Sequence, residues 1–123
     1  MSERRKETRK KLMAFTPVYN LPQRRVLGYL HDLTLQGAMV ICNRPDEVNR
    51  LETLLIEFPD ELTNMLVSHM TLQGRVARCV QDEEDPHSFL VGFEFVGLTP
   101  ENERTILALL ERYHFRDQLD EAG

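Results

Sequence analysis

Two short stretches carry side chains whose types and spacing could do chemistry. The first is Arg4-Arg5-Lys6-Glu7-Thr8-Arg9-Lys10-Lys11, six cations and one carboxylate within eight residues. Arginine meets phosphates and base edges with a planar fork of donors, so such an arm is a candidate anion binder. A solvated tail is the other reading of a charge run. The second stretch is Asp32-Leu33-Thr34-Leu35-Gln36-Gly37. Taken alone it reads as a turn, because Asp and Thr close turns by local hydrogen bonds and Gly accepts a positive φ.

The charge distribution sets the arm apart from the rest. The 123 residues carry a net charge of -5, yet residues 1–25 hold eight Lys/Arg against two acids and the remaining chain seven against eighteen. With 41% hydrophobic and 28% charged residues, the composition is that of a globular protein of about one domain, long enough for a core without disulfides or metals. No apolar run approaches the roughly 20 residues of a membrane span, and no h-region follows the basic start, so a cytoplasmic protein is expected. Cys42 and Cys79 lie far apart among apolar and β-branched neighbours and are expected as two buried thiols. His31, His69, His87 and His114 show no metal-ligand spacing. There is no Walker loop, nucleophile elbow or HExxH sequence, and Glu83-Glu84 reads as part of a solvated turn, so no catalytic role is expected.

The elements that must position these residues are mostly strands. Leu12 to Tyr19 is β-tolerant, and Pro17 predicts an edge strand there. In Arg24 to Leu33, alternation puts Leu27, Tyr29, His31 and Leu33 on one face and Val26, Gly28, Leu30 and Asp32 on the other. A hairpin around Leu35-Gln36-Gly37 leads into a short buried strand, Ala38 to Cys42. Residues 43–50 read as a loop, and Thr53 to Phe58 as a strand stopped by Pro59. The stretch 60–68 reads as either one helical turn or a loop. Met70 to Val80 follows as a long strand with Leu72, Gly74, Val76, Arg78 and Val80 on one side. An acidic turn, Asp82 to Pro86, leads to the clearest strand, where Phe89, Val91, Phe93 and Phe95 alternate.

The C-terminal part changes period. Thr99 is a good N-cap, Pro100 suits the first helical position, and Glu101 and Glu103 favour the positive end of the dipole. Ile106, Leu107, Leu110, Tyr113 and His114 fall at helical spacing, with Arg112 and Arg116 near the C-terminal turn. The pattern predicts about six strands in an antiparallel sheet or small barrel, followed by one amphipathic helix.

Together, Arg5-x-x-x-Arg9 and the sequence Asp32-x-Thr34-x-x-Gly37, some 23 residues downstream, resemble the PilZ domain family. That family is marked by RxxxR in an N-terminal loop and by (D/N)xSxxG at the turn after an early strand. Val91-Gly92-Phe93-Glu94-Phe95 resembles the family's glycine-bearing last strand, and the closing helix fits too. The resemblance covers essentially the whole chain. It implies a mainly β fold, a six-stranded antiparallel split barrel with a C-terminal α-helix over residues 12–118, preceded by a flexible basic arm at 1–11.

The resemblance also implies a ligand, the bacterial second messenger cyclic di-GMP, and no cofactor. Arginine can meet guanine O6 and N7 together. Arg5 and Arg9 would bind from the arm, with Arg4 as a third candidate that favours a stacked pair of ligand molecules. Asp32 would accept from guanine N1-H and N2-H, Thr34 would offer a hydroxyl, and Gly37 would let the backbone come close. Thr34 departs from the usual Ser: the hydroxyl survives, and the added methyl is a point of crowding. The expected function is a non-catalytic receptor and adaptor whose arm changes conformation on binding and signals to a protein partner. Motility, pilus, polysaccharide, biofilm and transcription machinery all remain open as that partner. Two alternatives stand beside it: a ligand-independent PilZ-like interaction module, and a small barrel that binds RNA or DNA. The second lacks surface aromatics, and the acidic body opposes a nucleic-acid polymer.

Overall fold

The computed structural model describes residues 11–12, 16–58 and 69–114. Among the described residues nine elements follow in chain order: β1 (Lys11–Leu12), β2 (Pro17–Leu21), β3 (Arg25–Leu33), β4 (Gly37–Cys42), β5 (Leu51–Glu57), β6 (His69–Gln81), β7 (Phe89–Val96), α1 (Pro100–Arg112) and β8 (Tyr113–His114). Six strands close into an antiparallel barrel in the order β2-β3-β4-β7-β6-β5. The expected mainly β barrel with one closing helix is what forms. The expected loop-or-turn stretch at 60–68 lies outside the described residues, as does Arg116.

Period-two alternation builds the barrel wall. Val18, Val40, Leu54, Ile56, Val76 and Val91 are fully buried and fill the interior. Burying each such aliphatic side chain contributes about 1.5–3 kcal/mol. The helix starts as its sequence dictates: Thr99 Oγ1 accepts the Asn102 N–H at 3.1 Å, and Thr99 O accepts from Glu103 N at 2.9 Å. Ile106 and Leu109 from α1 complete the core, and the Asn102 side chain donates to Thr71 O of β6 at 3.1 Å.

Several expectations are corrected. The strand containing Pro17 is not an edge, because β2 pairs with β3 on one side and β5 on the other. Pro17 is tolerated there as the first residue of the strand. The helix stops at Arg112, and Tyr113–His114 instead pair in parallel with Lys11–Leu12. Leu107 is exposed, while Leu109, one turn from Ile106, takes the buried place. Cys79 is only half-buried, although Cys42 is buried as expected.

Among the described residues three register shifts interrupt the ladders; one makes Leu27 the extra residue of β3 against β2, and the other two set the facing of the strands around the β3–β4 turn. In β3, Leu30 pairs with Val40 and Asp32 with Met39, so His31 is the extra residue. In β6, Val76 pairs with Phe93 and Arg78 with Gly92, so Ala77 is the extra residue. A one-residue insertion moves every later side chain to the opposite face. Leu30 and Leu33 therefore both face the core, and Asp32 does not follow Leu30 inward. In β6, Met70, Leu72 and Val76 are buried while Arg78 and Val80 lie outside, against the single-face expectation.

Candidate functional site

The β3–β4 turn brings Asp32, Thr34 and Gly37 together. Leu33, 2% exposed, anchors the end of β3 in the core, so its neighbours Asp32 and Thr34 lie on the outer side. The turn closes through Thr34 N–H, which donates to Gly37 O at 2.9 Å. Thr34 Oγ1 accepts from Gln36 N at 3.1 Å and from Gly37 N at 3.2 Å. Gln36 O in turn accepts from Phe95 N at 2.9 Å, tying the turn to β7. The Thr34 hydroxyl thus holds the turn in shape, a job that Ser or Thr performs equally.

Gly37 is required for a different reason from the expected positive φ. Among the described residues, positive φ occurs at Arg24, Asn49 and Gly97. At Gly37 an ideal Cβ would collide with Phe93 O, in the backbone of β7. The glycine lets β4 and β7 come together beside the turn.

The tertiary fold adds residues that the sequence reading did not assign to this site. Cross-strand pairing runs from Asp32 to Met39, then to Gly92, then to Arg78, across β3, β4, β7 and β6. These residues share the outer wall, because their strand neighbours Leu33, Val40, Val91 and Phe93 are buried. A Cβ on Gly92 would lie 3.2 Å from Arg78 Cγ and 3.9 Å from Met39 Cε. The missing side chain leaves a shallow floor, with the Arg78 stem along one side and Met39 along the other. With strands about 4.8 Å apart, the backbone positions that carry the carboxylate and the guanidinium stand roughly 14 Å apart along the wall. The glycine in Val91-Gly92-Phe93 was visible as a signal; Arg78 was hidden by the bulge at Ala77. Beside this row, Arg75 Nη2 pairs with Glu94 Oε1 at 3.3 Å, and Glu94 lies opposite Gly37. Arg4, Arg5 and Arg9 lie outside the described residues.

A second polar constellation occupies the other end of the β3–β4 hairpin. Asn20, Leu27, Cys42, Asp46, Arg50 and Glu52 line a cleft of about 400 Å³. Desolvation, then a hydrogen bond and charge from Asp46, push the Glu52 carboxyl up to about 7, against the opposing pull of Arg50. Burial pushes the Cys42 thiol up to about 12, so it is a closed, protonated thiol. Asp46 N–H reaches Cys79 Sγ at 3.5 Å, which docks the loop onto β6. Among the described residues, no group of three His, Cys, Asp or Glu side chains could hold a metal ion. No described helix is long and apolar enough to cross a membrane.

Comparison with known proteins agrees with this architecture. The family model described as PilZ domain matches residues 3–112. Among solved structures the chain is similar to the PilZ domain of YcgR from Escherichia coli with c-di-GMP. That match has 16% sequence identity and a TM-score of 0.56, and covers 89% of this chain and 93% of that one. A search of curated proteins returns no match. With its closed six-strand barrel, its closing helix and a family match over nearly its whole length, the chain belongs to the PilZ domain family.

Proposed function

We propose that this protein is a non-catalytic cyclic di-GMP receptor that signals to a protein partner through its basic N-terminal arm. One observation carries the reading. The Asp32–Gly37 turn is clamped to β7 with Asp32 and Thr34 on the outer wall. It sits at the end of a row that offers a carboxylate, a shallow floor and a guanidinium in sequence. A guanine laid on Met39 and Gly92 would donate N1-H and N2-H to Asp32, which no cation could accept. Arg78 would stack on a base or pair with phosphate. The YcgR domain, similar in fold, holds c-di-GMP, which supports the same ligand class here.

Arg5 and Arg9, with Arg4 beside them, are the proposed clamps that close from the arm onto the doubly anionic ring. Ordering the arm costs about 1–2 kcal/mol per residue fixed. Several charge-assisted contacts of about 1.5–3 kcal/mol each offset that and leave micromolar affinity, about -8 kcal/mol. The lysines of the arm raise the local anion concentration. The closed arm then presents a different surface to the partner, and the protein works in the cytoplasm, where the messenger is made.

Titration calorimetry with cyclic di-GMP tests the reading. Binding near micromolar is expected, and Asp32→Ala and Arg5→Ala each remove most of it. Folded protein that binds nothing at tens of micromolar ligand overturns the proposal.

A further inference from the structure

Next to the row that starts at Asp32, the outer wall is apolar where an antiparallel sheet usually turns polar side chains to water. Cross-strand pairing runs from Tyr29 to Ile41, then to Leu90, then to Val80, over β3, β4, β7 and β6. All four point outward, because their strand neighbours Gly28, Leu30, Val40, Cys42 and Val91 are buried and Cys79 packs against the core. Tyr29 is 48% exposed and Val80 43%, with Ile41 and Leu90 half-buried between them. One apolar residue on a surface is ordinary, but an unbroken row over four strands marks an interaction surface.

The end of the row at Leu90 and Val80 opens onto the β6–β7 turn. There Val80, Gln81, Asp82, Glu83, Glu84 and Leu90 line a cleft of about 380 Å³, with three carboxylates and no cation in its lining. Asp82 and Asp85 hold the turn in shape. Asp82 Oδ1 accepts from Glu84 N at 3.0 Å, and Asp85 accepts from His87 N at 3.0 Å and from Ser88 Oγ at 2.9 Å. Among the described residues, neither Glu83 nor Glu84 is in an ion pair. With Asp46, Glu47 and Glu52 nearby, carboxylates outnumber the arginines of this barrel end.

We propose that this row docks a basic amphipathic helix of a partner protein. The helix lies across the strands, with aliphatic side chains on Tyr29, Ile41, Leu90 and Val80 and Lys or Arg side chains on Glu83 and Glu84. Spacing selects a helix. Strands about 4.8 Å apart put the ends of the row roughly 14 Å from each other. A helix offers one apolar side chain per turn of about 5.4 Å, so residues at i, i+4, i+7 and i+11 span about 16 Å. Charge selects a basic one, since an acidic helix or an anionic bilayer would meet the carboxylates of the turn. The arm at residues 1–10 is basic, but Met1 is its single apolar side chain, so it would leave the row in water. The proposal rests on the adaptor reading above for why a partner is needed, while the row itself includes none of the proposed nucleotide contacts.

The test uses the whole chain and a fluorescent Lys/Leu peptide with leucines at i, i+4, i+7 and i+11, with and without cyclic di-GMP. Beside it stand a Glu/Leu and a Lys/Ser peptide of the same pattern and a peptide of residues 1–10. The Lys/Leu peptide is expected to bind and to gain helical circular dichroism, and the other three to bind at least about tenfold more weakly. Tyr29→Thr with Val80→Thr, and separately Glu83→Lys with Glu84→Lys, should each weaken binding about tenfold at an unchanged melting temperature. Amide shifts in NMR spectra should centre on Ile41, Val80 and Leu90. Equal binding of any of the other three peptides, indifference to either double variant, or shifts centred on Asp32–Gly37 would each overturn the proposal. So would a dimer in sedimentation that the Tyr29 and Val80 double variant dissolves, since the row would then belong to a second copy. Peptide binding without any cyclic di-GMP binding would uphold this surface and sink the receptor reading; the reverse pattern would do the opposite.

Discussion

Asp32 of β3 stands directly opposite Met39 of β4, although Leu30, two residues earlier, stands opposite Val40. Two residues on one strand are matched by one on the other, and the difference is absorbed by His31. With His31 left out of the pairing, Asp32 stands on the outer wall, where a ligand can reach it, while Leu30 and Leu33 both stay in the core.

Deleting His31 should turn the bulge into a regular ladder. Leu30 opposite Val40, Asp32 opposite Met39 and Leu33 opposite Ala38 are then consecutive pairs, so Leu33 stays in the core and Asp32 on the outer wall. What the deletion removes is the local bend and extra twist that a bulge gives a strand, so a folded barrel with weakened cyclic di-GMP binding is expected. His31→Ala keeps the residue count and should change stability by about 1 kcal/mol or less, since surface changes generally do. Urea unfolding and ligand titration of both variants check this.

Gly37 and Gly92 make a contrasting pair. In Gly37→Ala the new methyl would meet a β7 carbonyl oxygen, so backbone must move, at a cost of about 1–3 kcal/mol or more. In Gly92→Ala the nearest atoms belong to the flexible side chains of Arg78 and Met39, so stability should fall by less than about 1 kcal/mol. The predicted signature of Gly92→Ala is weakened cyclic di-GMP binding at nearly full stability. Thermal melts and calorimetry on the two variants separate the effects.

Thr34 is expected to act through the turn before it acts on any ligand. Its Oγ1 accepts two backbone N–H groups, and Thr34→Val removes that acceptor while keeping the shape. A loss of about 0.5–2 kcal/mol is expected, as for a lost cap. Thr34→Ser keeps the acceptor and sheds the methyl, so stability should hold and cyclic di-GMP affinity should equal or exceed that of the parent. Weaker binding by Thr34→Ser would show that the methyl is a contact and not an obstruction.

The carboxyl pair of Asp46 and Glu52 makes stability depend on pH. Glu52 keeps its proton in the folded state up to about 7, whereas an ordinary carboxyl, at 4.5, has released it. Between those values the folded protein binds more protons than the unfolded chain, so stability falls as pH rises through this window and levels off above it. Glu52→Gln removes the titrating group and should flatten the fall. The urea midpoint should favour the variant more above neutrality than near the lower end of the window. A parent midpoint that rises across the same window would contradict the assignment.

Much of the fold was legible because its signals are local. The alternation of Phe89, Val91, Phe93 and Phe95 specifies a half-buried strand, and Thr99-Pro100-Glu101 specifies where a helix begins, from neighbouring residues alone. The turn chemistry of Asp32, Thr34 and Gly37 is local in the same way, and together with Arg5 and Arg9 upstream these residues locate the candidate site along the chain. What stayed hidden depends on partners distant in sequence. Closure of β2 onto β5 decides that Pro17 is not at an edge. The bulges at His31 and Ala77 exist only relative to β4 and β7, and they decide that Asp32 and Arg78 share the outer wall. The same long-range pairing lines up Tyr29, Ile41, Leu90 and Val80 from four strands in one outer row. Sequence alone determined which residues could form strands, a cap and a turn; tertiary structure decided which of them face one another, because register is a property of two strands and never of one.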